Sequence, residues 1–327
     1  MASVEAASVT AQQGLQRTRG PGDRLGDKVL YGLTGLAALI GIAIVAAIVW
    51  RVADGAWPAI DKFGVSFLWH NVWNAPLDQF GARDLIIGTI VTSFGAMLLA
   101  APLSIAIALF LSELAPPAIR GPVGTLIEML AAVPSVVIGL WGIYVLAPFS
   151  AQHLQPILGS VLGWIPIFAH GGDKVPSTVF TAMLVLTIMT IPITSSICRE
   201  LFVGVPAELE EGAIGLGATR WEMVRTVIVP SVRGGVVAAV ILGLGRALGE
   251  AIAVTQVIGN FIPLHTSIFE PGDTIASRVA NQYQGAISTT QIASLIYLAL
   301  ILLAISFVAN LGAQRVVKRS ERKLAGA

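Results

Sequence analysis

Six runs of about 20 mostly apolar residues constrain this chain more than any other feature. They are Val29–Trp50, Leu85–Leu111, Leu126–Leu146, Val179–Cys198, Val236–Ile258 and Ile292–Leu311. At about 1.5 Å per residue, each is long enough as a helix to cross a hydrocarbon layer about 30 Å thick. Charged residues make up only 12% of the chain and hydrophobic ones 55%. A soluble domain carries about a quarter charged residues, so these spans have no polar cover to hold them in water. The fold class predicted is an all-α integral membrane protein with six transmembrane helices. Pro102, Pro134 and Pro192 interrupt the apolar runs. Neighbouring helices in a membrane bundle satisfy the carbonyls that such prolines release, so the spans stand.

The connections set an orientation. With the N-terminus inside, fourteen of the 20 Lys and Arg residues fall on the inner side, five on the outer side, and Arg246 within a span. That bias predicts cytoplasmic termini, because Lys and Arg near span ends resist translocation. The chain then divides into a polar tail (1–28), a first helix with its outer loop (29–84), a core (85–311) and a basic tail (312–327). The apolar run from Val29 is too long for a signal-peptide core, so a retained helix is expected. Trp57, Trp69 and Trp73 lie in the first outer loop, where tryptophans anchor at the interface or stack on a ligand. A semi-apolar stretch, Leu154 to Phe168, lies in the second outer loop and is predicted to rest at the interface or re-enter the protein.

Several function classes are excluded on composition. The net charge of +1 offers no basic surface for nucleic acid. Cys198 is the single cysteine, and His70, His153, His170 and His265 are scattered without metal-ligand spacing. No G-x-x-x-x-G-K-[ST], H-E-x-x-H or G-x-S-x-G pattern is present, so the chain has no nucleotide-hydrolysing or hydrolase signature of its own.

The stretch between the fourth and fifth spans is unlike the other connections. Pro206 is placed to start a helix, and Glu208, Glu210 and Glu211 fall in its first turns, where carboxylates suit the helix dipole. Gly217 is a natural stop. Thr219 to Val229 then reads as an amphipathic segment, with Trp221, Val224, Val227 and Ile228 at helical spacing. A surface helix of this kind either inserts into a partner's groove or lies at the membrane interface. Glu211-Gly212-Ala213, three residues, Gly217, then Val227-Ile228-Val229-Pro230 resembles the EAA loop of binding-protein-dependent ABC importer permeases. Gly212 replaces the first Ala of that pattern, and Val227 and Val229 replace Ile and Leu, with the spacing kept. The resemblance implies an ABC type I permease fold. It also implies that the loop 206–230 docks on an ATPase through Glu208, Glu211, Gly212, Ala213, Gly217, Arg220 and Pro230.

The fifth span carries two charges, Arg246 and Glu250. A charge in hydrocarbon costs about 2.5 kcal/mol or more, so such residues mark ion paths or pair with one another. Four apart on one helix, they would share a face. A guanidinium presents a fork of donors that matches phosphate oxygens. The segment from Gly243 through Val254 resembles the fifth-span signature of phosphate-specific permeases of the PstC type. The run Leu130-Ala-Ala-Val-Pro134-Ser135-Val-Val-Ile-Gly139-Leu-Trp141-Gly resembles the same type. That resemblance assigns Arg246 and Glu250 to the substrate path. Thr187, Thr190 and Thr194 share one face of the fourth span, and Ser135 follows a kink; each lines the path or bonds between helices. Glu128 is placed to snorkel at the interface or to pair with Arg120.

The family implies partners as well: a second permease subunit of the PstA type, an ATPase dimer and an extracytoplasmic phosphate-binding protein. It implies no cofactor on this chain, with ATP and Mg on the partner ATPase, and a bacterial cell membrane as the location. The residues leave two alternatives open: the same machine for molybdate or sulfate, and a gradient-driven anion transporter.

Overall fold

The computed structural model of the chain describes residues 21–169 and 175–325. The polar stretch before Pro21, His170 and Lys174 lie outside the described residues. Among the described residues six helices are long and apolar enough to cross a membrane: Leu25–Leu68, Arg83–Leu114, Ser135–Leu162, Val179–Val203, Arg220–Gly249 and Thr289–Arg315. They are referred to below as the first to sixth spans.

Contacts divide the chain into two units, Met1–Val52 and Ala53–Ala327. In the first, Leu33, Leu36, Ile42 and Val45 are all exposed. A helix apolar on every side, with no face of its own covered, needs lipid or another protein around it. In the second, the fourth span is the hub: 67% of its most apolar stretch is buried, against 22% for the fifth and sixth spans. It packs along the second span, where Ala96 and Ala100 are fully buried and let the backbones approach. Gly243 does the same for the fifth span, since a Cβ there would meet Thr194 Oγ1 at 2.7 Å.

The spans differ from the predicted ones at their ends. Pro134 is extended (φ −57°, ψ 137°), so Pro117–Ala131 is a separate helix and the third span starts at Ser135 instead of Leu126. Proline lacks the amide proton and disfavours helix in the residue before it, which makes a break at this point cheap. The third span then continues into the stretch Leu154 to Phe168, expected at the interface or re-entering the protein, and ends within it at Leu162. The fifth span begins at Arg220, so the second half of the loop is continuous with it. A wide π-type turn, Val224–Ile228, sits just ahead of Pro230, where the ring would otherwise meet the carbonyl of Thr226. The sixth span belongs to a helix that continues through the expected basic tail to Ala325. A two-stranded ribbon, Trp73–Asn74 with Gln79–Phe80, is a minor addition to the helices.

Residues between the fifth and sixth spans fold back onto the ends of the second and fourth. Leu264 N–H donates to Asp84 (2.9 Å) and Ile275 N–H to Thr89 Oγ1 (2.9 Å). Arg278 and Asp273 form a buried ion pair at 2.6 Å. Burial pushes the Asp273 carboxyl above its ordinary range, and Arg278 and the Thr274 N–H pull it back. Arg278 also lies over the Trp73 ring, whose Nε1 donates to Gln282 Oε1 (2.6 Å). Trp73 is thus tied into the protein, while Trp57 and Trp69 are exposed. Gly88 is the close point of this contact, because a Cβ there would lie 2.0 Å from the Asp273 carbonyl. Backbone cannot yield as a side chain does, so Gly88→Ala is expected to destabilise the chain by about 3 kcal/mol. A fall in the thermal unfolding midpoint of the purified protein would show it; an unchanged midpoint would mean that the fold-back moves freely.

Candidate functional site

The fifth span has two dissimilar stripes. Val236, Ala239, Gly243 and Ala247 are buried against the rest of the chain. Leu242, Gly245, Arg246 and Gly249 lie on the other side; Leu242, Arg246 and Gly249 are exposed, and nothing lies within 4 Å of a Cβ built at Gly245 or Gly249. Arg246 is thus a cation on an uncovered stripe of an apolar helix. Among the described residues it enters no ion pair.

Glu250 does not stand where helical spacing predicted. The helix ends at Gly249 and Glu250 is extended (φ −71°, ψ 116°), so Arg246 and Glu250 do not share a helix face. Glu250 is half-buried and accepts the Ala253 N–H at 3.4 Å, at the start of the short helix Ile252–Val257. The fifth span is therefore broken beside its charged residue. Gly139 of the third span packs on the second piece, with a built Cβ 2.9 Å from Ala253 Cα.

The other path candidates are distributed differently. Thr190 and Thr194 are buried inside the chain, at 1% and 0% exposure. Thr190 Oγ1 donates to the Leu186 carbonyl (2.8 Å), and Thr187 Oγ1 to Met183 (2.7 Å) and across to Ala96 of the second span (3.3 Å). Thr194 Oγ1 is buried without a hydrogen-bond partner, close against Gly243. Of these hydroxyls only that of Thr187 bonds to another helix, and the exposed Arg246 is not brought together with them. Ser135 is half-buried in the first turn after Pro134. Glu128 pairs with Arg199 of the fourth span at 3.7 Å, not with Arg120.

The loop 206–230 is built from two capped pieces. Helix Ala207–Gly215 begins after Pro206, with Glu208 and Glu210 in its first turn. It ends on Gly217 in the left-handed region (φ +89°). Ala218 N–H donates to the Ala213 carbonyl (3.1 Å) and Gly217 N–H to Ile214 (2.9 Å), the paired bonds of a Schellman stop. Thr219 then caps the next helix reciprocally: Glu222 N–H donates to Thr219 Oγ1 (3.3 Å), and Thr219 N–H to Glu222 Oε2 (2.8 Å). Thr219→Ala should cost about 1 kcal/mol of local helix stability. Amide exchange near residues 219–223 would then quicken about fivefold; no change would mean that the bundle alone holds this turn.

Met223, Val224 and Ile228 face inward from the second piece, whereas Trp221 is 69% exposed, off the expected apolar face. Leu216, in the turn between the two pieces, is 92% exposed. Glu208, Glu211, Gly212 and Arg220 are exposed, and Ala213 and Pro230 half-buried. The cluster that sequence reasoning missed lies beside this loop: Glu113 and Arg120 meet Glu210 and Arg220 in one cavity. Nothing in their spacing announces it, since the contact joins three separate segments.

Comparison with known proteins places this geometry. The family described as binding-protein-dependent transport system inner membrane component matches residues 100–322. The phosphate transport system permease protein PstC of Pasteurella multocida is 44% identical over 292 residues, covering 89% of this chain and 91% of that protein. PstC of Haemophilus influenzae is 46% identical, covering 84% and 87%. Among solved structures, a chain of a bacterial alginate ABC transporter superposes with a TM-score of 0.57 at 19% identity, over 90% of this chain and 99% of that one. A chain of the MetNI methionine ABC transporter in an inward-facing conformation gives 0.50 at 16% identity, over 73% and 94%. At such identities these structures speak for the fold alone. The chain therefore belongs to the binding-protein-dependent transport system inner membrane components, alongside its PstC relatives.

Proposed function

We infer that this chain is the permease subunit of an ATP-driven phosphate importer that works by alternating access. The observation that carries this reading is Arg246: a guanidinium exposed on an apolar span, with no ion pair among the described residues. Lipid facing Arg246 would cost about 3 kcal/mol, so the stripe faces a second protein surface or a watered path. The names of the PstC relatives supply the cargo class. An oxyanion is what an unpaired guanidinium fork binds best.

On this reading Arg246 holds the anion at the break in the fifth span. Glu250, extended and partly buried beside it, keeps the cation from trapping the ligand through its opposing charge. Gly245 and Gly249 carry no side chain, so the stripe leaves room for an ion and for a second, PstA-type subunit to close over it. Thr190, Thr194 and Ser135 support the bundle rather than touch the anion. Leu216 and Trp221 are the apolar tips that insert into an ATPase, with Glu208, Glu211, Gly212, Ala213, Gly217 and Arg220 around them. Because the second loop helix is continuous with the fifth span, movement of that tip is carried as a rigid body to Arg246. Pro230 lies in that connection, just beyond the wide turn. ATP and Mg belong to the ATPase dimer, and an extracytoplasmic binding protein delivers phosphate to the outer face. Both termini lie in the cytoplasm of a bacterial cell.

The test is reconstitution of the whole assembly in vesicles with its binding protein, followed by labelled phosphate uptake with and without ATP. Uptake that needs ATP and resists sulfate and molybdate is the expected result. ATP-dependent uptake of a competitor would replace the cargo. Gradient-driven uptake without ATP would overturn the importer itself.

A further inference from the structure

A cavity of about 360 Å³ lies where the second span ends, bounded by helix Pro117–Ala131 and the loop 206–230. Ser112, Glu113, Arg120, Glu210 and Arg220 provide its polar lining. By the Lys/Arg bias this end of the bundle faces the cytoplasm. Arg220 Nη1 donates to the Glu113 carbonyl at 3.4 Å, and Arg120 Nη2 to the Ala115 carbonyl at 3.5 Å. The Glu113 carbonyl lies in the last turn of the second span, a position that favours cations, and the Ala115 carbonyl lies just past its end. Each long bond uses one of five guanidinium donors. Arg120 Nε is buried with no hydrogen-bond partner. Among the described residues neither arginine forms an ion pair with Glu113 or Glu210.

Two cations and two acids therefore face one cavity with no direct ion pair between them. Arg120, Glu113 and Glu210 are half-buried and Arg220 is exposed; for the half-buried three, direct pairing would be the arrangement that serves stability, because a partly buried charge left unpaired is costly. Burial and the charge of Glu113 already hold the Glu210 carboxyl above its ordinary range. A ligand that satisfies both guanidiniums and one of the acids needs several acceptor oxygens for the guanidiniums and a hydroxyl donor for the carboxylate. Hydrogen phosphate has both. Sulfate at neutral pH has no hydroxyl and would meet the acids with oxygen alone.

We propose that this cavity is a regulatory site for hydrogen phosphate on the cytoplasmic face, held by Arg120 and Arg220, with Glu210 accepting its hydroxyl hydrogen bond. The inference rests on the phosphate reading above and adds a second phosphate site, remote from Arg246. Bound phosphate joins Arg220, on the moving loop, to Arg120, on the helix that follows the second span. It thus ties the loop to the bundle and slows transport when the interior is replete.

The experiment uses the complete assembly in vesicles made without phosphomonoester lipids, with ATP inside and the binding protein outside. Loading the lumen with inorganic phosphate should slow uptake about fivefold or more, the usual lower bound of an allosteric coupling. Lumenal sulfate should not. Arg120→Gln should keep its uptake into phosphate-free vesicles and lose the response. A second measurement is equilibrium binding of labelled phosphate to the assembly carrying Arg246→Gln. A site should remain there and vanish when Arg120→Gln is added. An equal response to sulfate, a response that survives Arg120→Gln, or no residual site would each overturn the proposal. Slowing by phosphatidic acid vesicles without lumenal phosphate would replace the free ion by a lipid phosphate. If wild-type vesicles fail to import phosphate at all, the transport reading falls, while the binding measurement still decides the cavity.

Discussion

Arg246→Gln is expected to reduce ATP-dependent phosphate uptake about a hundredfold while leaving the assembly intact. The magnitude follows from losing charge-assisted hydrogen bonds worth about 3 kcal/mol to the anion. Arg246 lies on the open stripe with Leu242 and Gly249, and no ion pair among the described residues depends on it. The fold of this chain therefore has little to lose. Arg246→Lys keeps the charge and loses the planar fork, so it should fall between the two. Uptake and co-purification of the other subunits, measured on the same preparations, separate the outcomes. Normal uptake by the glutamine variant would remove Arg246 from the path. Loss of assembly with loss of uptake would make it an interface residue instead.

Gly217→Asp should release the ATPase. Gly217 sits at φ +89°, where a side chain costs about 1–2 kcal/mol. Nothing lies within 4 Å of a Cβ built there, so the effect is conformational and not a clash. The strained residue would pull apart the Schellman bonds from Gly217 to Ile214 and from Ala218 to Ala213. The two loop helices would then lose their fixed angle, and Leu216 and Trp221 their joint presentation. A cost of about 1.4 kcal/mol is tenfold in binding, so ATPase recovered with the permease should fall about that much. Gly217→Ala tests the backbone alone and should weaken recovery less. Full recovery with either variant would mean that the loop angle does not matter to docking.

Much of the molecule is legible in its primary structure because its solvent is hydrocarbon. Apolar length alone marks six spans, and a helix in lipid satisfies its own backbone. The loop is legible for a different reason: caps are local. Pro206 and Gly217 act through atoms a few residues apart, so their spacing announces them. What local pattern misplaced lies where helices stop or meet. Arg246 and Glu250 read as one helix face because a period of 3.6 residues assumes that the helix continues past Gly249. The break comes where the next segment turns to pack on Gly139 of the third span. Trp221 fits an apolar stripe by spacing with Val224 and Ile228, yet it is exposed while those two turn inward, joined by Met223, because the bundle covers only that side.

The chain's apolar spans and the caps of its loop were determined by sequence, since transfer free energy and cap hydrogen bonds depend on residues near in the chain. Which charges stand alone and which are paired was decided by tertiary structure. Glu128 meets Arg199, Asp273 meets Arg278, and Arg120 faces Glu210 and Arg220 around a cavity. Electrostatic partners are chosen by distance in space, and that distance is set only once the spans have packed.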